Sequence, residues 1–191
     1  NLKLVFEKNI SGLYEIIKPF PILNSLIFAT HIPSLQKDSL YCLSYLIKVQ
    51  PKEYQNQLFQ NSNFIDMLLN EFNNDQNPYR YVYALLISNL MEGFKINCKL
   101  FLSKLNFDSI HDFALKSQKN SEISLLLIRR IMSNIDIDNQ IYETFIKICI
   151  DIFETFLRNQ DTNQYDFEKI RSNFIHKIMK FIISMISSNF L

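Results

Sequence analysis

Tryptophan is absent from this 191-residue chain, glycine occurs twice and proline five times. An all-β protein needs a tight turn about every ten residues, and so few breakers cannot punctuate one. Long helices fit instead. Gly12 and Gly93 alone also cannot build a glycine-rich phosphate loop. An excess of one charge sign is missing as well: 20 Lys+Arg against 19 Asp+Glu leave a net charge of +1. No overall field gathers nucleic acid or an anionic membrane, so a nucleic-acid partner is not favoured. No apolar run approaches the roughly 18 residues of a membrane span. The nearest stretch, 181–191, is interrupted by Ser184, Ser187, Ser188 and Asn189.

Cysteine is sparse. Cys42, Cys98 and Cys149 lie in apolar stretches far apart, with no Cys-x-x-Cys pair. An odd, widely spaced set reads as free buried thiols in a reducing compartment, which implies a cytoplasmic protein. The glycosylation pattern Asn9-Ile10-Ser11 is discounted for the same reason. The abundance of Asn, Ile and Lys follows AT-rich coding DNA, so Asn richness alone is no functional signal. Because the chain opens on Asn1, the expectation is a fragment of a longer protein from which a targeting segment could be missing.

Apolar residues make up 48% of the chain and charged ones 20%, a balance that excludes disorder. A triplet recurs at a fixed period: Ser44-Tyr45-Leu46, Ser88-Asn89-Leu90 and Ser133-Asn134-Ile135, the closing residues 44 and then 45 positions apart. A period of that length is the mark of a stacked helical solenoid. Around the second triplet, apolar periodicity predicts a helix over 78–91, with Pro78 in its first turn and Gly93 as a left-handed cap. Two more helices follow over 95–104, with Ile96, Leu100 and Phe101 on one face, and over 107–118. In the latter Asp108 is the cap and Ile110, Phe113 and Ala114 turn inward. The same order is laid over 37–49, 51–60 and 64–72 upstream, and over 121–135, 138–146 and 147–158 downstream. Helices at 13–18 and 21–31, split by Pro19-Phe20-Pro21, belong to an earlier unit. A polar loop at 159–165 leads into a last helix, 167–186, whose stripe Ile170, Phe174, Ile178, Ile182 and Ile186 is expected either to be a terminal packing face or to be covered by a continuation of the chain. The whole chain reads as one domain with approximate repeats 11–52, 53–94, 95–137 and 138–191.

The segment Ala84-Leu85-Leu86-Ile87-Ser88-Asn89-Leu90-Met91-Glu92-Gly93 resembles the Ala-x-x-Leu-Ser-Asn-Ile-Ala-x-Gly third helix of the armadillo repeat family. The likeness extends in part to 128–135 and more weakly to 40–46. It implies an all-α, right-handed α-solenoid of armadillo/HEAT-like repeats whose third helices line a concave groove. Members of the family that grip basic nuclear-localisation peptides carry a Trp four residues before the Asn. Tyr41, Leu85 and Arg130 stand there instead, which argues against that ligand. The implied groove ladder is Tyr41, Tyr45, Tyr81, Leu85, Asn89, Arg130 and Asn134. Amphipathic rings with interleaved amides suit an extended polypeptide, the amides reading its backbone and the rings packing on its side chains.

Chemistry-bearing constellations are thin. His111-Asp112 resembles the metal-binding dyad of all-α phosphohydrolases, with His31 and Asp136 or Asp151 as conceivable further ligands. It falls on a middle helix, where a solvated face is the stronger reading. His176 with Arg171, Lys177 and Lys180 is a modest basic stretch. Runs at 136–139 and 161–163 lack the Gly and Glu of a calcium loop. Neither a metal nor a cofactor is expected. The resulting expectation is a non-enzymatic protein-interaction or scaffold module that binds a partner protein or peptide segment in its concave groove. The alternatives are a structural subunit of a larger assembly, or a regulatory factor such as a chaperone nucleotide-exchange or GTPase-binding armadillo domain.

Overall fold

The computed structural model describes residues 19–49, 58, 62–158, 176, 179, 180, 182–184 and 187. Among them no strand occurs. The helices are α1 (Pro19–Ala29), α2 (Gln36–Val49), α3 (Ser62–Asn73), α4 (Arg80–Met91), α5 (Lys95–Lys104), α6 (Phe107–Leu115), α7 (Gln118–Asn134) and α8 (Asn139–Arg158). They divide into two compact units, Asn1–Asn106 with Arg129–Ile135, and Phe107–Ile128 with Asp136–Leu191. Among the described residues no helix is long and apolar enough to cross a membrane.

The first unit is organised around α4. It packs on α2, α3 and α5, while α1 packs on α2. Ten of its twelve residues are buried, because its sequence is apolar nearly all round and its polar members find partners. Tyr83 is fully buried and its hydroxyl accepts from Gln36 Nε2 at 2.9 Å. Asn89 Nδ2 donates to Ser44 Oγ at 2.7 Å. Gln36 therefore meets Tyr83 and Ser44 meets Asn89, so α2 and α4 run side by side in the same direction.

Both ends of α4 are set by local chemistry. Before it, Asn77 Oδ1 accepts from the Tyr79 amide at 2.7 Å, and Asn77 Nδ2 donates to Glu71 Oε2 at 2.6 Å. This Asx turn takes in Pro78, so the helix starts at Arg80 and not at the proline. Arg80 is 4% exposed. Its Nε donates to the Phe72 carbonyl at 2.7 Å, one terminal nitrogen meets Asp75 at 2.6 Å, and the guanidinium lies 5.4 Å over the Phe72 ring. A buried cation with a carbonyl, a carboxylate and a ring face is fully compensated. At the other end Gly93 takes φ 75, the left-handed conformation expected of it.

In the second unit α6 packs on α8. Ile110, Phe113 and Ala114 face inward as the periodicity predicts. Phe107 and Phe145 meet edge to face, with ring centroids 5.4 Å apart. Ser121 Oγ donates to the Ala114 carbonyl at 2.6 Å, satisfying the end of α6. Asp138 Oδ1 accepts from the Ile141 amide at 2.8 Å and caps α8.

Four expectations are corrected. The helices predicted over 138–146 and 147–158 are one, the 20-residue α8. No Gly or Pro separates them, and Phe145, Ile148, Cys149 and Ile152 form one continuous buried stripe. The helix expected to start at Pro21 starts at Pro19: both prolines sit in the first turn of α1, where a missing N–H costs nothing. Asp108 is not the cap of α6 but lies within its first turn, favourable to the helix dipole. Ile96 does not face inward with Phe101. It is 79% exposed, and α5 buries Asn97, Cys98 and Phe101 instead. Of the helix expected over 51–60, only Leu58 is described, helical and fully buried. The 13–18 helix, the 159–165 loop and all of the last isoleucine stripe except Ile182 lie outside the described residues.

Candidate functional site

All seven ladder positions fall within the first unit. Tyr41, Tyr45, Tyr81 and Leu85 are the residues left unburied on well-buried stretches of α2 and α4. On α4, Tyr81 and Leu85 are the two residues not buried. On α2, Tyr41 and Tyr45 are the two residues between Ser39 and Ile47 that are not buried. Each pair is spaced i, i+4 and lies on one face of its helix. Because α2 and α4 pack together in parallel, two aromatic or apolar stripes stand on neighbouring helices of one unit.

Asn89 continues the α4 stripe by one further turn but is 7% exposed and engaged on two sides. Its Nδ2 donates to Ser44 Oγ and, at 3.2 Å, to the Ser44 carbonyl. Its Oδ1 accepts from Arg130 at 3.3 Å. The same Arg130 nitrogen donates to Ser88 Oγ at 2.7 Å, and the other terminal nitrogen to Glu92 Oε2 at 2.7 Å. Ser44, Asn89, Ser88, Arg130 and Glu92 thus form one polar chain joining α2, α4 and the end of α7. The Arg130 side chain is 14% exposed. Burial lowers its pKa from the ordinary value, and the Glu92 carboxylate opposes that shift. Asn134, by contrast, turns back on its own helix, Nδ2 donating to the Arg130 carbonyl at 2.7 Å.

Ser44 and Ser88 belong to the recurring triplets, so their meeting with Asn89 and Arg130 is written in the period: Asn89 reaches back 45 residues and Arg130 reaches back 42. Glu92 carried no such signal and was not foreseen.

The thiols are poor nucleophiles. Burial pushes Cys98 up to about 11, against the opposing charge of Arg130, and Cys149 up to about 12. All three cysteines are free and buried. In the second unit, His111 Nε2 lies 2.9 Å from Asp151 Oδ2, and Nδ1 lies 4.0 Å from Asp112 Oδ1. Asp151 is thus the one conceivable further ligand placed beside His111. His31 is exposed and belongs to the first unit. Among the described residues no group of three or more His, Cys, Asp or Glu is placed to hold a metal ion. Of the basic stretch on the last helix, His176 and Lys180 are described, and both are exposed.

No family model, curated protein or solved structure matches the chain.

Proposed function

We propose that the chain is a non-enzymatic binding module, an α-solenoid of armadillo/HEAT-like repeats that holds a segment of a partner protein along the outward stripes of α2 and α4. The observation that carries this reading is selective exposure. On α4 and on the 39–47 stretch of α2, two parallel helices one repeat apart, the residues that are not buried are Tyr41, Tyr45, Tyr81 and Leu85. Half-exposed tyrosines combine a large apolar body with a hydroxyl, which suits adhesion to a polypeptide. Asn89 and Arg130 hold the helices that carry these rings in register, and Arg130 offers a partner a narrow charged edge.

The test is affinity capture with the intact chain, wild type against Tyr81→Ala/Leu85→Ala, with captured proteins quantified by mass spectrometry and folding checked by circular dichroism. Proteins retained by the wild type should be lost from the double variant at unchanged helicity. The same set captured by both would overturn the reading. A structural role has one supporting observation: Met179 and Ile183, on the last described helical residues, are 46% and 58% exposed. Concentration-dependent self-association of the chain, relieved by Ile183→Ser, would favour that alternative.

A further inference from the structure

We propose that the outward face of α5, where Ile96 stands between Lys95 and Lys99, is a second docking surface and that it takes an acidic amphipathic segment of a partner protein. The register of α5 is locked from its inner side. Asn97 Nδ2 donates to the Leu90 carbonyl at 2.7 Å, Cys98 Sγ to the Met91 carbonyl at 3.4 Å, and Phe101 is fully buried. With 97, 98 and 101 fixed, Ile96 cannot rotate into the core, and it remains 79% exposed. Leu100 and Leu102, half-buried, extend the apolar surface on either side of the exposed lysines.

Charge decides the occupant. The helix, KINCKLFLSK, carries three lysines and no acid. Lys104 is taken by Asp66 across the first unit. Glu92, the acid closest in sequence to α5, is held by Arg130. Lys95 and Lys99 are exposed, one helical turn apart, and form no ion pair among the described residues. Two uncompensated ammonium groups about 6 Å apart at their bases, with an isoleucine beside them, match a segment that presents two carboxylates flanking a bulky apolar side chain. A lipid surface fits less well. Two cations and one fully projecting aliphatic side chain fall short of the polybasic cluster and broad apolar face that hold a helix on a membrane.

This surface lies on a different helix from the Tyr81 and Leu85 stripe, and the two readings fail separately. The probe is a random dodecapeptide library displayed on phage, selected on the intact chain and, in parallel, on Lys95→Glu/Lys99→Glu. The best peptides are then titrated by fluorescence anisotropy against wild type, Ile96→Ser, the charge-reversed pair and Tyr81→Ala/Leu85→Ala. All changes are on exposed or half-exposed side chains, and circular dichroism verifies the fold. The expected result is enrichment of peptides that join two Asp or Glu to a large apolar residue. Their affinity should fall about tenfold or more in Ile96→Ser and in the charge-reversed pair, stay unchanged in the Tyr81/Leu85 variant and weaken with salt. Selection on the charge-reversed pair should no longer favour acidic peptides. Peptides without acidic bias, or affinities indifferent to Ile96, Lys95 and Lys99, would overturn the proposal. So would sedimentation of the wild type with phosphatidylserine-containing vesicles, lost in the charge-reversed pair, without any enriched acidic peptide.

Discussion

Replacing Asn89 by Ala should destabilise the first unit far more than replacing Asn134, although the two occupy the same place in the recurring triplet. Asn89 is 7% exposed, makes two hydrogen bonds to Ser44 and accepts one from Arg130. Each neutral bond is worth about 1 kcal/mol net, and a bond from a charged donor about 1.5–3 kcal/mol. Arg130 keeps Ser88 and Glu92, so its share belongs at the low end. The expected loss is about 2–4 kcal/mol, a large part of the 5–15 kcal/mol typical of a domain. At roughly 2–4 °C per kcal/mol for a chain of this size, Tm should drop by about 5–15 °C. Among the described residues Asn134 bonds within its own helix end, to the Arg130 carbonyl and Ser133 Oγ, so Asn134→Ala should cost about 1 kcal/mol or less. The assay is urea unfolding followed at 222 nm, paired with hydrogen exchange of the α2 and α4 segments, since the two units need not melt together. A double-mutant cycle with Ser44→Ala isolates the bond between the helices and should return a coupling of about 1 kcal/mol. Equal costs at 89 and 134, or zero coupling between Asn89 and Ser44, would refute the reasoning.

Gly93→Ala should cost about 1–2 kcal/mol through backbone strain alone, because φ is 75 and an added Cβ meets no atom within 4 Å. Gly93→Asn should recover part of it, and urea midpoints of the two variants distinguish strain from a clash. The cysteines should be inert to Ellman's reagent at pH 8 and all react once the chain is unfolded, since burial holds Cys98 at about 11 and Cys149 at about 12. Rapid labelling of the native protein would contradict their placement. Burial, with the Glu71 charge second, pushes Tyr83 up to about 12. Its neutral form is favoured by folding, so that contribution is complete below the ordinary tyrosine value of about 10 and is lost as pH climbs through about 12. Between pH 9 and 11 the urea midpoint should fall more steeply in the wild type than in Tyr83→Phe.

Most helices were legible in the sequence because periodicity and punctuation agreed, as at Gly93 and over 95–104. The failures share a cause. At α5 two faces compete, one with Ile96 and Leu100, the other with Cys98, Phe101 and Leu105, and Asn97 lies in the second. A hydrophobicity pattern places Asn outside, but its amide reaches the Leu90 carbonyl, so the face that contains Asn97 is buried and Ile96 is left in water. Arg130 misleads in the same way: a lone cation on a helix reads as outward, until Ser88, Asn89 and Glu92 supply acceptors for its donors. At α8 the expected repeat order imposed a break that the residues themselves do not contain.

The same point separates what holds this chain together from what it offers a partner. An amide both donates and accepts, so an Asn between two neighbours can bond backward with its nitrogen and forward with its oxygen. Asn89 does this, to Ser44 and Arg130. On the solenoid reading, the Ser88-Asn89 pair is then a stitch between successive turns. Asn134, the last such residue, makes its bonds within its own helix end. A residue whose amide is spent on internal bonds, as that of Asn89 is, carries little information about one particular ligand. Specificity has to come from positions that change from turn to turn: Tyr41 and Tyr45 on α2, Tyr81 and Leu85 on α4, and the Lys95, Ile96 and Lys99 face of α5.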